Sequence, residues 1–504
     1  MFSGPSPSGD QVQAAAQADK AKADTLLRMW PVFGGTVTRN MVNLNERNIP
    51  GEWHIARSAD GKGVDLKGSK HLKWAVALGS RSYGGPTVAD GKVYVGTNNH
   101  APRDPKIKGD KGVVMCFRES DGQFLWQIVH DKLPSGQVHD WPNEGICATP
   151  CVEGDRLYYT SNRCEVVCAS TADGKIIWRL DMMKDLNVFP HNMTAASPLI
   201  AGDTLFVVTA NGVDEGHINI PSPAAPSFLA VDKKTGKVKW QSAAPGKDIM
   251  HGQWSNPTYA AVPGKPQIIF PGGDGWLYSY EPETGKLIWK FDANPKDAKY
   301  ELGGRGAKSD FIGTPVVVGN QCFIGTGQDP EHYEGIGHLW CIDLTKTGDV
   351  SPELVVDAKA SPVKTKPNPN SAVVWHYGGA TTKEDQEKLQ RDYYFGRTMS
   401  TVSVHDGLVY AGELAGYVHC LDAKTGKVHW VHDLKSGVWG STYWVDNKVF
   451  IATEDGDVWV FPHGSKKPEP KRMETPQAVR STPVAVNGVL YIMSESYLYA
   501  VANK

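Results

Sequence analysis

The feature that most constrains this chain is a phrase it repeats, a turn ending in Gly followed three residues later by Trp. It reads SDGQFLW at Ser120–Trp126, ADGKIIW at Ala172–Trp178, KTGKVKW at Lys234–Trp240, ETGKLIW at Glu283–Trp289 and KTGKVHW at Lys424–Trp430. One such turn before a hydrophobic run is only a hairpin signal. Five at one internal spacing mean an array of similar units, and the array decides how every other residue is read.

Each copy extends backwards through two alternating strands to an approach rich in small residues, Thr and Pro. The approaches begin at Gly84, Ala148, Ala196, Ser255, Gly313, Ser400, Gly440 and Arg480. About eight four-stranded antiparallel units, near the period of propeller blades, predict an all-β eight-bladed β-propeller. We name the strands of each blade A to D from the centre outwards. The chain ends on YLYAVANK (Tyr497–Lys504), only the third strand of the last unit. HLKWAV (His71–Val76) has the apolar pattern and Trp of the missing fourth, so it is expected to close the ring and remove a free sheet edge. In the fifth unit an insert runs from the turn at Lys346–Gly348 through Pro369, and AVVWHY (Ala372–Tyr377) reads as a delayed outer strand. The seventh unit lacks its Trp and carries FPHGSKKPEPKRM from Phe461 instead.

A Trp recurring once per unit is expected to wedge between blades with a partner for its indole N–H; this applies to Trp74, Trp126, Trp178, Trp240, Trp289 and Trp430. Cys116, Cys168, Cys341 and Cys420 share one repeat position with Ala230, Ser279 and Ala500, and read as small buried residues. Cys151 and Cys322 also read as core. Cys147 and Cys164 fall on the same face of one unit, either as a disulfide or as two thiols; the bond would favour an oxidising compartment.

The chain has 504 residues and a formal net charge of -2, which predicts no steering towards nucleic acid or an anionic membrane. No run is long and apolar enough to span a bilayer. Residues 1–29 read as a flexible segment rich in small and polar residues, with a short helix at Ala18–Leu27, ahead of a single propeller from residue 30 to 504. No charged start followed by an apolar core is visible, which fits a cytosolic chain or a mature form whose export signal has been removed.

The phrases LAVDKKTGKVKW (Leu229–Trp240) and HCLDAKTGKVHW (His419–Trp430) resemble the blade motif of the pyrroloquinoline-quinone (PQQ) repeat family. That family contains quinone-dependent dehydrogenases and the propeller lipoprotein of the outer-membrane barrel-assembly machinery. The segment WPVFGGTVTRNMVN (Trp30–Asn43) is similar to exported bacterial propellers. The resemblance implies the propeller fold and a periplasmic or cell-surface location, with PQQ or Ca²⁺ as the cofactors to consider. The dehydrogenase signature itself departs. No Cys-Cys pair stands in the chain, no Gly-Ala-Glu follows Gly96 or Thr160, and HGQWSNP (His251–Pro257) replaces an Asp-rich approach. Asn211-Gly212 matches the family's Asn loop in part, and no CxxCH haem site is present.

Strand order puts the D–A and B–C loops on one face and the tight A–B and C–D turns on the other. Long loops on one face of a rigid scaffold are where binding concentrates. The residues expected near the central funnel, as a cofactor-binding set, are Glu144, Asn192, His251, Gln253, Asp310, Arg397, Trp439 and Arg480, with Arg81 beside them. Arg81, Arg397 and Arg480 would hold an anion bidentately or pair with Glu144 or Asp310. The B–C loops of units three and five supply a metal-binding set of Asp214, Glu215, His217, Asp329 and His332. Carboxylates and carbonyls there suit Ca²⁺, and histidines admit a transition metal. Three functions follow. The first is a non-catalytic binding or scaffold module taking a protein partner or small polar ligand at the long-loop face. The second is a divergent PQQ- or metal-dependent oxidoreductase. The third is a hydrolase or lyase, for which no Gly-x-Ser-x-Gly or HExxH motif appears.

Overall fold

The computed structural model describes residues 28–503 apart from 62 and 333. The leading segment to residue 27, with its expected helix, lies outside the described residues. Eight antiparallel sheets succeed one another along the chain. The first blade is Thr87–Ala89, Lys92–Asn98, Lys111–Arg118 and Phe124–Asp131, and six more follow the same A-to-D order. The eighth blade takes its fourth strand from the start of the chain. Leu72–Ala77 pairs antiparallel with Tyr497–Ala502, with Trp74 opposite Ala500. The ring therefore closes as the repeat count requires, and the last sheet is completed to four strands.

The repeated phrase has a physical explanation at every step. In each C–D pair the small residue faces the Trp: Cys116 opposite Trp126, Cys168 opposite Trp178, Ala230 opposite Trp240, Cys420 opposite Trp430. A register shift follows immediately after that small residue in each pair. The Trp then reaches the next blade. The indole N–H of Trp74 donates to Glu119 O, that of Trp126 to Thr171 O, Trp178 to Lys233 O, Trp240 to Pro282 O and Trp375 to Ala423 O. In each case that carbonyl lies three residues before the turn Gly of the next blade. The Gly itself sits on the ring: a Cβ on Gly174 would stand 2.7 Å from the Trp126 ring, and one on Gly236 2.7 Å from Trp178. With φ of +74° and +75°, both glycines also hold a backbone conformation that side chains disfavour. Gly and Trp thus recur together because they touch across blades.

The exceptions follow the disturbed units. Trp289 donates to Gln267 Oε1 within its own blade, because blade five's turn has been moved away by the insert. Gly348–Asp349 of that insert pairs parallel with Trp289–Lys290, annexing the outer edge of blade four, and Glu353–Asp357 with Lys364–Pro367 forms a projecting hairpin. The delayed outer strand is Val373–Gly378, with Trp375 in the wedge position. Lys471–Glu474 completes blade seven without a Trp.

Residues 30–43 were legible only as a family-like phrase, yet they thread through the middle of the ring. Trp30 exchanges backbone hydrogen bonds with Val88, and the carbonyls of Pro31, Val37, Thr38 and Met41 accept from Val152, Tyr259, Val317 and Trp444. The Asn40 side chain bonds the Val404 backbone and that of Asn43 bonds Ala485 O. Arg39, fully buried, donates to Phe33 O, Ser197 O, Pro198 O and Pro257 O. One short segment therefore bonds to the inner strands, or the residues just before them, of all eight blades. Burial pulls the Arg39 guanidinium down to about 10, so it stays charged at neutral pH.

Candidate functional site

The long-loop face opens into a cavity of about 240 Å³ over this threaded segment, with Phe33 in its wall. Aromatic rings of Tyr83, Trp141, Trp254 and Trp439 line it, together with Asn192, Glu144, Asp329, Glu331 and Arg480. Of the expected cofactor set, Glu144, Asn192, Trp439 and Arg480 line this space. Trp439 stacks on Tyr83 at 5.7 Å and lies 5.1 Å beneath the Arg480 guanidinium. Arg480 is engaged by Glu495, which also binds Arg81 at 2.6 Å, and lies 3.6 Å from Glu454. The sequence offered Glu144 or Asp310 as its partner; Glu495, on the turn before the last strand, was missed because it belongs to a tight B–C turn.

Glu144 contributes the unbalanced charge. Its Oε2 has no hydrogen-bond partner, and burial lifts its carboxyl above the usual range against the pull of the Tyr83 hydroxyl. Altogether the lining holds three carboxylates and one guanidinium that is itself paired. PQQ carries three carboxylates, so this set does not fit it, and no cysteine pair stands against the cavity.

The remaining expected residues lie behind the wall. Gln253 uses its amide on Asn211 O, Ser227 Oγ and Gly273 N. Arg397 ties two long loops together by donating to His332 O, Gly304 O and Gly306 O. Asp310 is buried with Oδ1 unpartnered, which raises its carboxyl well above the ordinary value. Cys147 and Cys164 are separate buried thiols, so the disulfide alternative is corrected; Cys164 Sγ donates to Thr209 O instead.

The metal-binding set divides too. Asp214 closes its own loop, accepting from Ile218 N, Asn219 N and Asn219 Nδ2, and Glu215 is exposed. His217 is presented by that loop at φ +57°. It meets His251 and a histidine the sequence reading passed over, His191. The ligand-capable atoms of His191, His217 and His251 all lie within 4.8 Å of one another. His191 Nε2 is 3.1 Å from His251 Nε2, and Asp329 Oδ2 is 3.7 Å from His251 Nδ1. His332 packs its ring 5.0 Å from His251 and bonds Gln328 Oε1 through Nδ1. Burial lowers His191 to about 4 and His251 to about 2, so both rings are neutral at pH 7. His191 was adjacent to the chosen Asn192; its only signal was its place on the approach to a strand A.

An eight-bladed propeller with a closed ring and an aromatic-lined funnel defines the class. The chain belongs to the PQQ-repeat family whose model is described as outer membrane protein assembly factor BamB, which matches residues 110–363 and 365–503. Tetrathionate hydrolase of Acidithiobacillus ferrooxidans is 22% identical over 390 residues, 71% of this chain and 64% of its own length. Polyvinylalcohol dehydrogenase of a Sphingopyxis species is 22% identical over 380 residues, 66% of this chain and 52% of its own length. The chain thus spans less than two thirds of either relative. The crystal structure of quinohemoprotein alcohol dehydrogenase from Comamonas testosteroni superposes with a TM-score of 0.62 at 14% identity, covering 99% of this chain and 85% of that one, which is a likeness of fold.

Proposed function

We propose that this protein is an exported, non-catalytic binding module that takes a positively charged polar ligand into its funnel through the long-loop face. The observation that carries this reading is the unpartnered Glu144 Oε2 at a cavity wall where carboxylates outnumber cations. Aromatic rings beside a carboxylate suit an organic cation, because ring faces attract the charge that the carboxylate neutralises. The family description, with its outer-membrane context, supports a location in the cell envelope.

Calorimetric titration of the full chain with spermidine, with citrate and with PQQ tests it. Saturable binding of the cation alone is expected, weakened about tenfold or more by Glu144→Gln, since a charge-assisted contact is lost. Stoichiometric binding of PQQ without cation binding would overturn it. A second reading, a divergent metal-dependent oxidoreductase, is favoured by the histidines beside the cavity. It predicts redox activity that depends on bound metal and is absent from the stripped protein.

A further inference from the structure

We propose that His191, His217 and His251 form a binding site for a divalent first-row transition ion, with Asp329 orienting His251. The site lies behind the funnel wall and does not rest on the cation reading of the cavity, although Asp329 and Trp254 border both.

The tautomers carry the argument. His191 Nδ1 lies 3.0 Å from Val213 O, and a carbonyl only accepts, so the proton sits on Nδ1. His191 Nε2 is therefore a bare lone pair, and it faces His251 Nε2 at 3.1 Å. Without an ion, His251 must place its proton on Nε2 to bridge the two rings. That leaves His251 Nδ1 as a lone pair in the interior, where it has no hydrogen-bond partner and faces the Asp329 carboxyl at 3.7 Å. A cation between the rings reverses both faults. Both Nε2 lone pairs then point at the ion, and the His251 proton moves to Nδ1, opposite the Asp329 oxygen. A metal-bound imidazole held by a backbone carbonyl on one ring and a carboxylate on another is the usual outer arrangement of a histidine site.

The spacing agrees. Zn–N bonds of about 2.0–2.1 Å at tetrahedral angles separate two nitrogens by roughly 3.3 Å. His217 completes a triangle, its ring 4.7 Å from His191 and 4.8 Å from His251. Asp214 is a positioning residue: its carboxylate and carbonyl shape the turn that presents His217. Three imidazoles select Zn²⁺, Co²⁺, Ni²⁺ or Cu²⁺ over Ca²⁺, which takes oxygen ligands. Three protein ligands leave a fourth position open.

The test uses the full chain, stripped with chelator and titrated with Zn²⁺, with Co²⁺ as the spectroscopic probe. One equivalent of Zn²⁺ is expected, together with a Co²⁺ absorption spectrum of tetrahedral character. His251→Gln should lower affinity at least about 100-fold and Asp329→Asn about 10- to 100-fold. His251 is buried, so His217→Asn gives an independent arm; Asn tolerates the positive φ there, and the fold is checked by circular dichroism. His217→Asn should also lower affinity about 100-fold, and Glu215→Ala should leave it unchanged. Absence of saturable binding in the unaltered chain, or binding that survives both His217→Asn and His251→Gln, would overturn the site.

Discussion

The two faces of the ring are built on opposite rules. On the turn face five blades repeat one contact, the Gly of the turn against the Trp of the blade before, and the indole N–H of that Trp is satisfied by a backbone carbonyl of the same turn. On the loop face no two connections are alike, and buried polar atoms stand without partners at Glu144, Asp310 and His251. Unpaired buried polar groups cost free energy and persist only where surrounding structure over-determines them. The comparison teaches that the turn face and the threaded segment supply the rigidity that lets the rim carry unsatisfied chemistry.

The largest effect expected from breaking the rigid part is at Arg39. Arg39→Ala leaves four carbonyls inside the ring without their donor and should destabilise the protein by on the order of 4 kcal/mol, read from urea unfolding. An unchanged midpoint would mean that the threaded segment does not hold the blades together. Trp126→Ala removes one inter-blade wedge and should cost about 3 kcal/mol. A much smaller loss would show that neighbouring blades close over the gap.

The rim should lose stability as pH rises towards neutral. Asp274, buried in the B–C turn of blade four, accepts from the Tyr278 hydroxyl at 2.7 Å and from Trp276 N, with Lys308 and Asp310 also acting on it by charge. Burial raises its carboxyl from 3.8 to about 7. The folded state therefore holds its proton more tightly than the unfolded chain. The stability this confers is complete below about pH 4 and is lost as pH rises towards 7. Asp274→Asn should abolish that slope in unfolding midpoints compared between pH 4 and pH 8; a slope that survives would place its origin elsewhere. The smallest effect is expected at Glu215, exposed on its loop, where Ala should shift the midpoint by less than about 0.5 kcal/mol. A larger shift would mean that the rim loop is part of the scaffold.

Much of this architecture was legible because the contacts that make it are periodic. Gly236 and Trp178 touch across blades, and the Gly-to-Trp spacing that sets up such contacts is written five times along the chain. His71–Val76 could be assigned to the last sheet because a ring of equal parts defines what is missing. The insert after Lys346 was visible, but not its pairing with Trp289–Lys290, since two residues of parallel strand leave no pattern. The site was legible in part. Loop order brought Glu144, Asn192, Trp439 and Arg480 to the cavity, and it named His217, His251, Asp329 and His332 from three different loops. It could not say that His217 and His251 meet His191, nor that Asp214 would be used up by its own turn.

The amino-acid order alone determined the number of blades, the strand that closes them and the face that carries the long loops, because each follows from a repeat and from the alternation of strand direction. Only the tertiary structure decided which side chains converge. That Arg39 reaches two blade connections, that Arg480 belongs to Glu495, and that three imidazoles meet behind Trp254 depend on how non-repeating loops fold over one another. Such loops are held by single hydrogen bonds and steric fit, and neither leaves a period in a sequence.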